Sequence, residues 1–159
     1  MELNDFSNCI ERMKKKLYKT AFLYLGDEHK ALDAVGETVY RSLKSLKKLR
    51  QPEYFDTWIT RILINECKKE LKRSKRVHGT DDLSIVAISE NYSYDSLPLK
   101  EAIRKLPNEL KEVVILRYFL GFTLQEVAES LCIPQGTVAS RQRRALGLLK
   151  LELSGEELL

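Results

Sequence analysis

Residues 123–149 read TLQEVAESLCIPQGTVASRQRRALGLL, and this stretch limits the fold of the chain more than any other. Thr123 and Glu126 have the Thr-x-x-Glu spacing of a capping box, in which the hydroxyl accepts from a backbone N–H three residues on and the carboxylate accepts from the N–H of the cap. A helix therefore begins here, and its apolar pattern carries it to about Leu131. Cys132-Ile-Pro-Gln-Gly136 is a turn of the length that joins the helices of a helix-turn-helix, and Thr137 begins the next helix. In that helix Val138, Ala145 and Leu149 have inward spacing, while Thr137, Ser140, Arg141 and Arg144 fall on the opposite side. Small Ala128 and Ala139 permit close helix crossing. Short residues at the head of a helix let its backbone approach a groove, and the arginines behind them reach guanine edges or phosphates. The competing reading of the same residues is a plain helical hairpin with a solvated basic face.

Helices are expected elsewhere too. Only seven glycines and four prolines punctuate 159 residues, which favours long helices over strands, so the fold class is all-α, with two small helical domains. The spacing predicts helices over about 8–25, ended by Gly26-Asp27, over 28–49, and, after a loop at Pro52, over 54–75. Ile10, Met13, Leu17, Ala21 and Leu25 form one core stripe, and Ala31, Val35, Val39, Leu43 and Leu46 a second. Tyr18, Phe22, Tyr24, Tyr54, Phe55 and Trp58 supply much of the buried area. A further helix starts at Leu106-Pro107, with Leu110, Val113, Val114, Leu116 and Phe119 as its apolar set, and stops at Gly121.

The charge of +4 is unevenly spread. Residues 1–78 hold 18 Lys and Arg against 11 Asp and Glu, residues 79–99 hold none against four, and residues 100–159 hold nine against eight, so the basic excess is regional. It marks a domain over 1–78, an acidic flexible connector over 79–98 (GTDDLSIVAISENYSYDSLP) and a second domain over 99–159. Leu83–Ile88 within the connector is too apolar for a purely flexible linker; it either packs on a domain or docks on a partner. In the third helix Arg61, Asn65, Lys68 and Lys72 share one face, and residues 61–76 hold seven Lys or Arg against two Glu. That density suits a phosphate backbone, and equally a solvated helix face with a basic tail.

Several function classes fall away. His29 and His78 have no neighbouring nucleophile or metal-ligand pattern, and no glycine-rich phosphate loop follows a strand, so catalysis, a metal site and a cofactor are not expected. Cys9, Cys67 and Cys132 lack CxxC spacing and read as reduced, mostly buried small apolar residues. No apolar run reaches the ~18–20 residues of a membrane span and no signal peptide is visible, so a soluble cytoplasmic protein with no direct membrane insertion is expected.

Taken together, YLGDEHKALDAVGETVYRSLKSL (24–46), YFDTWITRILINECKKELKR (54–73) and LPNELKEVVILRYFLGFTLQEVAESLCIPQGTVASRQRRAL (106–146) resemble the extracytoplasmic-function (ECF) branch of the sigma-70 family, bacterial RNA polymerase initiation subunits. The resemblance runs from about residue 9 to 153. It implies a region 2 domain that binds the β′ clamp helices of core RNA polymerase around Asp33, Ala34, Glu37, Tyr40 and Arg41. The same domain would open promoter DNA at the minus-ten element, with extruded bases held by the loop at Lys47–Tyr54 and the strand by Arg61, Asn65, Lys68 and Lys72. It further implies a region 4 domain that rests on the β flap and reads the minus-35 element through Thr137, Ser140, Arg141 and Arg144, with Arg143 and Gln142 near phosphates. The connector would thread toward the polymerase active-site cleft. Control by an anti-sigma factor, often membrane-anchored, is also implied, with apolar surface on both domains as its footprint. One departure is Gly36, where the family commonly has Gln; it alters the clamp surface or weakens the helix by about 1 kcal/mol relative to Ala. A stand-alone helix-turn-helix regulator and a protein that sequesters polymerase are the alternatives.

Overall fold

The first turn of the chain is built on a glycine. In the computed structural model, which describes residues 1–78 and 97–158, helix α1 (Leu3–Leu25) ends at Gly26, whose φ of 73° is left-handed and whose N–H donates to the Phe22 carbonyl at 2.7 Å. A side chain there is doubly disfavoured, because a Cβ would also lie 3.0 Å from Arg104 Nε. The helix starts earlier than its spacing predicts because Phe6 joins the stripe and meets the Phe55 ring edge-on at 6.0 Å. Asp27 then caps α2 (Glu28–Lys44), accepting from the Lys30 N–H at 2.9 Å.

Helix α2 stops at Lys44 rather than 49 and gives way to a 3-10 turn at Leu46–Lys48. A second such turn, Pro52–Tyr54, leads into α3 (Phe55–His78). Helix α4 (Leu97–Lys105) takes in the last two positions assigned to the connector; Pro98 falls in its first turn, where a missing N–H costs nothing. The rest of the connector, Leu83–Ile88 included, lies outside the described residues. Helix α5 (Asn108–Val114) widens into a π turn at Ile115–Phe119, in which Leu120 N–H donates to the Ile115 carbonyl at 3.1 Å. Gly121, at φ 73°, ends it.

The capping box is complete. Glu126 N–H donates to Thr123 Oγ1 at 3.1 Å and Thr123 N–H to Glu126 Oε1 at 2.9 Å, which starts α6 (Leu124–Leu131). After Cys132, itself left-handed at φ 60°, α7 (Gln135–Leu158) begins two residues before Thr137. No strand occurs among the described residues.

Burial corrects four expectations, the first being Tyr54, which is half exposed rather than one of the buried aromatics. The inner face of α2 is Ala31, Ala34, Thr38 and Ser42, with Leu43 exposed, so the stripe is rotated toward small residues. Helix α2 packs on both α1 and α3, and small side chains allow that approach; Thr38 and Ser42 satisfy their hydroxyls on the Ala34 and Val39 carbonyls of their own helix. Phe119 is exposed because the π turn rotates it off the α5 stripe. Cys132 is exposed and Cys9 half-buried, leaving Cys67 as the buried cysteine.

The two expected domains do not keep separate cores. Buried residues of α1, α2 and α3 are continuous with those of α4 to α7. Helix α1 packs on α4 and the π turn as well as on α2 and α3, and α3 packs on α6. Ser130 Oγ of α6 donates to the Thr57 carbonyl of α3 at 3.4 Å.

Candidate nucleic-acid interface

Helix α3 turns Ile59, Leu63, Ile64 and Cys67 into the core, and its helical period leaves Arg61, Asn65, Lys68 and Lys72 exposed together. At the amino-terminal end of this row lies a shallow cleft of about 380 Å3, walled by Lys48, Arg50, Tyr54, Trp58 and Arg61, with Glu129 of α6 at its edge. Tyr54, half exposed, and Trp58 offer rings on which a base can stack, and the cations beside them suit a phosphate. The Lys47–Tyr54 loop thus adjoins the α3 face.

Lys68 differs from its neighbours. Its Nζ pairs with Glu112 of α5 at 3.3 Å, and the same carboxylate oxygen accepts from the Tyr24 hydroxyl at 3.1 Å. Glu112 is 2% exposed, so burial raises its carboxyl above the ordinary range, while Lys68 and Tyr24 act to lower it. Tyr24 is held above its ordinary value, first by burial and then by the Glu112 charge. Beside them Lys111, 5% exposed, donates to the Tyr24 carbonyl at 3.4 Å and lies 5.2 Å from the ring centre. Lys111 and Glu112 are not recognisable as core positions in the sequence, because a charged pair inside LKEVV carries no period that marks it as buried.

On α7 the inward set Val138, Ala145 and Leu149 is buried. Ser140, Arg143 and Arg144 are exposed, and Thr137 is half-buried. Arg141 is also half-buried and pairs with Glu109 at 3.7 Å. Gln142 is half-buried too: its Oε1 accepts from Arg117 Nε at 3.1 Å, while Arg117 Nη1 donates to the Phe122 carbonyl at 2.9 Å. That chain ties α7 to the segment before α6, so the Gln142 carbonyl oxygen helps to orient the helix-turn-helix.

The α2 set divides in the same way. Asp33, Glu37, Tyr40 and Arg41 are exposed, but Ala34 is buried beneath them and presents no surface. Arg41 bridges Glu37 at 3.2 Å and Glu66 of α3 at 3.0 Å, and Lys44 lies over the Tyr40 ring at 5.1 Å. On the neighbouring flank, Tyr18, Leu32 and Val35 floor an apolar groove of about 400 Å3, rimmed by Lys14, Lys15 and Lys19. Among the described residues no cluster has metal-ligand character, and no helix is long and apolar enough to cross a membrane.

Two family models match successive parts of the chain. Residues 9–77 match Sigma-70 region 2 and residues 96–149 match Sigma-70, region 4. The chain is 34% identical to RNA polymerase sigma factor SigV of Bacillus subtilis, over 94% of this chain and 92% of that one. It is 29% identical to the ECF RNA polymerase sigma factor SigW of the same organism, over 93% and 88%. Its fold is similar to that of the sigma factor RpoE solved with the anti-sigma factor NepR from Bartonella quintana, at a TM-score of 0.83, 23% identity and coverage of 96% and 98%. CnrH, solved with the cytosolic domain of CnrY, gives a TM-score of 0.73 at 21% identity, covering 94% and 88%. Two region matches in this order, over a chain with one cationic helix face in each region, identify a member of the ECF branch of the sigma-70 family.

Proposed function

We propose that this cytoplasmic protein is a promoter-recognition subunit of RNA polymerase with no catalysis of its own, contacting DNA through two separate elements. Arg61, Asn65, Lys68 and Lys72, with the aromatic cleft at Tyr54 and Trp58, hold the opened strand of the minus-ten element. Thr137, Ser140, Arg141 and Arg144 read the minus-35 element in the major groove, and Arg143 meets phosphate. Asp33, Glu37, Tyr40 and Arg41 face the β′ clamp helices, and region 4 rests on the β flap. The observation that carries this reading is the exposed α3 row beside an aromatic, cationic cleft in the same chain as a capped helix-turn-helix. A stand-alone regulator has no use for a cleft that takes an unpaired base.

Control by an anti-sigma factor fits the same surfaces. The structural neighbour RpoE was solved with an anti-sigma factor and CnrH with the cytosolic domain of CnrY, and the lysine-rimmed groove between α1 and α2 suits an acidic amphipathic helix. Reconstitution with core polymerase followed by transcript-start mapping tests the function. Initiation from defined promoters is expected; a chain that instead shifts duplex DNA alone and needs another sigma subunit would be the regulator. Lys68→Glu combined with Lys72→Glu should impair promoter opening more than core binding, and equal loss of both would count against the α3 assignment.

A further inference from the structure

Helix α5 carries a carboxylate where the proposed DNA path passes. Glu112, almost fully buried, accepts from Tyr24 and pairs with Lys68 through one oxygen, at 3.1 and 3.3 Å. Lys111 adds a bond to the Tyr24 carbonyl, so two consecutive residues of α5 grip α1 and α3 at three points. The arrangement is poorly explained by stability. Removing a carboxylate from water costs several kcal/mol, and a buried ion pair often contributes less than apolar residues of the same volume would.

Its placement suggests a different purpose. A carboxylate on Lys68 neutralises the cation as a phosphate oxygen would, and a second carboxylate of α5, Glu109, pairs with Arg141 at 3.7 Å. Two of the cations assigned to DNA, Lys68 and Arg141, are therefore met by carboxylates of α5. We propose that Glu112 is an internal stand-in for a promoter phosphate: joined to Lys68 and Tyr24 it holds the two regions closed and occupies Lys68, and engagement of the opened strand requires its release. This rests on the assignment of Lys68 to the DNA strand made above.

The test uses the full chain and two conservative variants, Glu112→Gln, which removes the charge and keeps the shape, and Tyr24→Phe, which removes one donor and keeps the ring. Circular dichroism checks that each is folded. Three readouts are taken: acetylation of Lys68 by an N-hydroxysuccinimide ester, measured by peptide mass spectrometry against Lys72 in the same chain; the radius of gyration from small-angle scattering; and binding of a fluorescein-labelled oligothymidine strand at low salt. In Glu112→Gln all three should rise, Lys68 acetylation by roughly fivefold, the factor that about 1 kcal/mol of lost closing energy gives. Tyr24→Phe should move each the same way by less. Folded variants with unchanged Lys68 acetylation and unchanged radius overturn the latch. If acetylation and radius rise but no variant binds the strand, the DNA assignment of α3 fails and the stand-in role falls with it. Scattering separates these two failures.

Discussion

Lys111 shows how a single buried charge writes itself into the pH dependence of the whole chain. Burial pushes its ammonium down to about 8, with Arg104 adding like-charge repulsion. From there up to the ordinary value of 10.5 the unfolded chain holds a proton that the native protein has lost, so stability rises with pH through this window. Cys67 acts in the opposite sense: burial pushes its thiol up to about 12, and above the ordinary 9.0 the native state keeps a proton that the unfolded chain gives up. The net rise is thus confined to about pH 8–9. Denaturant melts should gain roughly 1 kcal/mol across it, and Lys111→Met should flatten the gain. At the same scale, Arg141→Ala and Arg144→Ala report on the recognition helix. If either arginine reads a base, its loss costs about 1–3 kcal/mol at the cognate promoter alone; a phosphate contact instead lowers the salt slope by about one for all sequences.

At the scale of elements, α2 and α6 make opposite predictions. Gly36 is an exposed position inside α2, and an added Cβ would meet nothing within 4 Å. Gly36→Ala should therefore stabilise the protein by about 0.5–1 kcal/mol in thermal unfolding, and any accompanying loss of core polymerase binding would mark that surface as part of the clamp contact. Thr123→Ala removes the hydroxyl that accepts from Glu126 N–H and should cost about 1 kcal/mol. Its effect on duplex promoter binding should exceed its effect on stability at region 2, because α6 sets the entry to the turn and hence the seat of α7. The α6 helix was legible at both ends, since its cap, its apolar period and its stop are all local. Helix α4 was not: Pro98 reads as a breaker in sequence, and it is accommodated in the first turn of a helix.

For the whole molecule, the shared core predicts cooperative unfolding. The single tryptophan, Trp58, lies in region 2, whereas far-ultraviolet circular dichroism averages over both regions. Their thermal midpoints should coincide, because apolar residues of α1 are buried against α4 and the π turn as well as against their own bundle. Separate transitions would contradict a continuous core.

What the sequence determined by itself was local and periodic. The all-helical class, the capped helix-turn-helix, the shared face of Arg61, Asn65, Lys68 and Lys72, and the inward set of α7 all follow from spacings of three and four residues and from caps within one turn. Only tertiary structure decided which side of α2 faces inward, that Ala34 and Gln142 serve packing and orientation, and that Glu112 meets Tyr24 and Lys68. Tyr24 and Glu112 stand 88 positions apart. The burial of a charged residue depends on which distant partner pays its desolvation with a hydrogen bond, and helical periodicity carries no information about that partner.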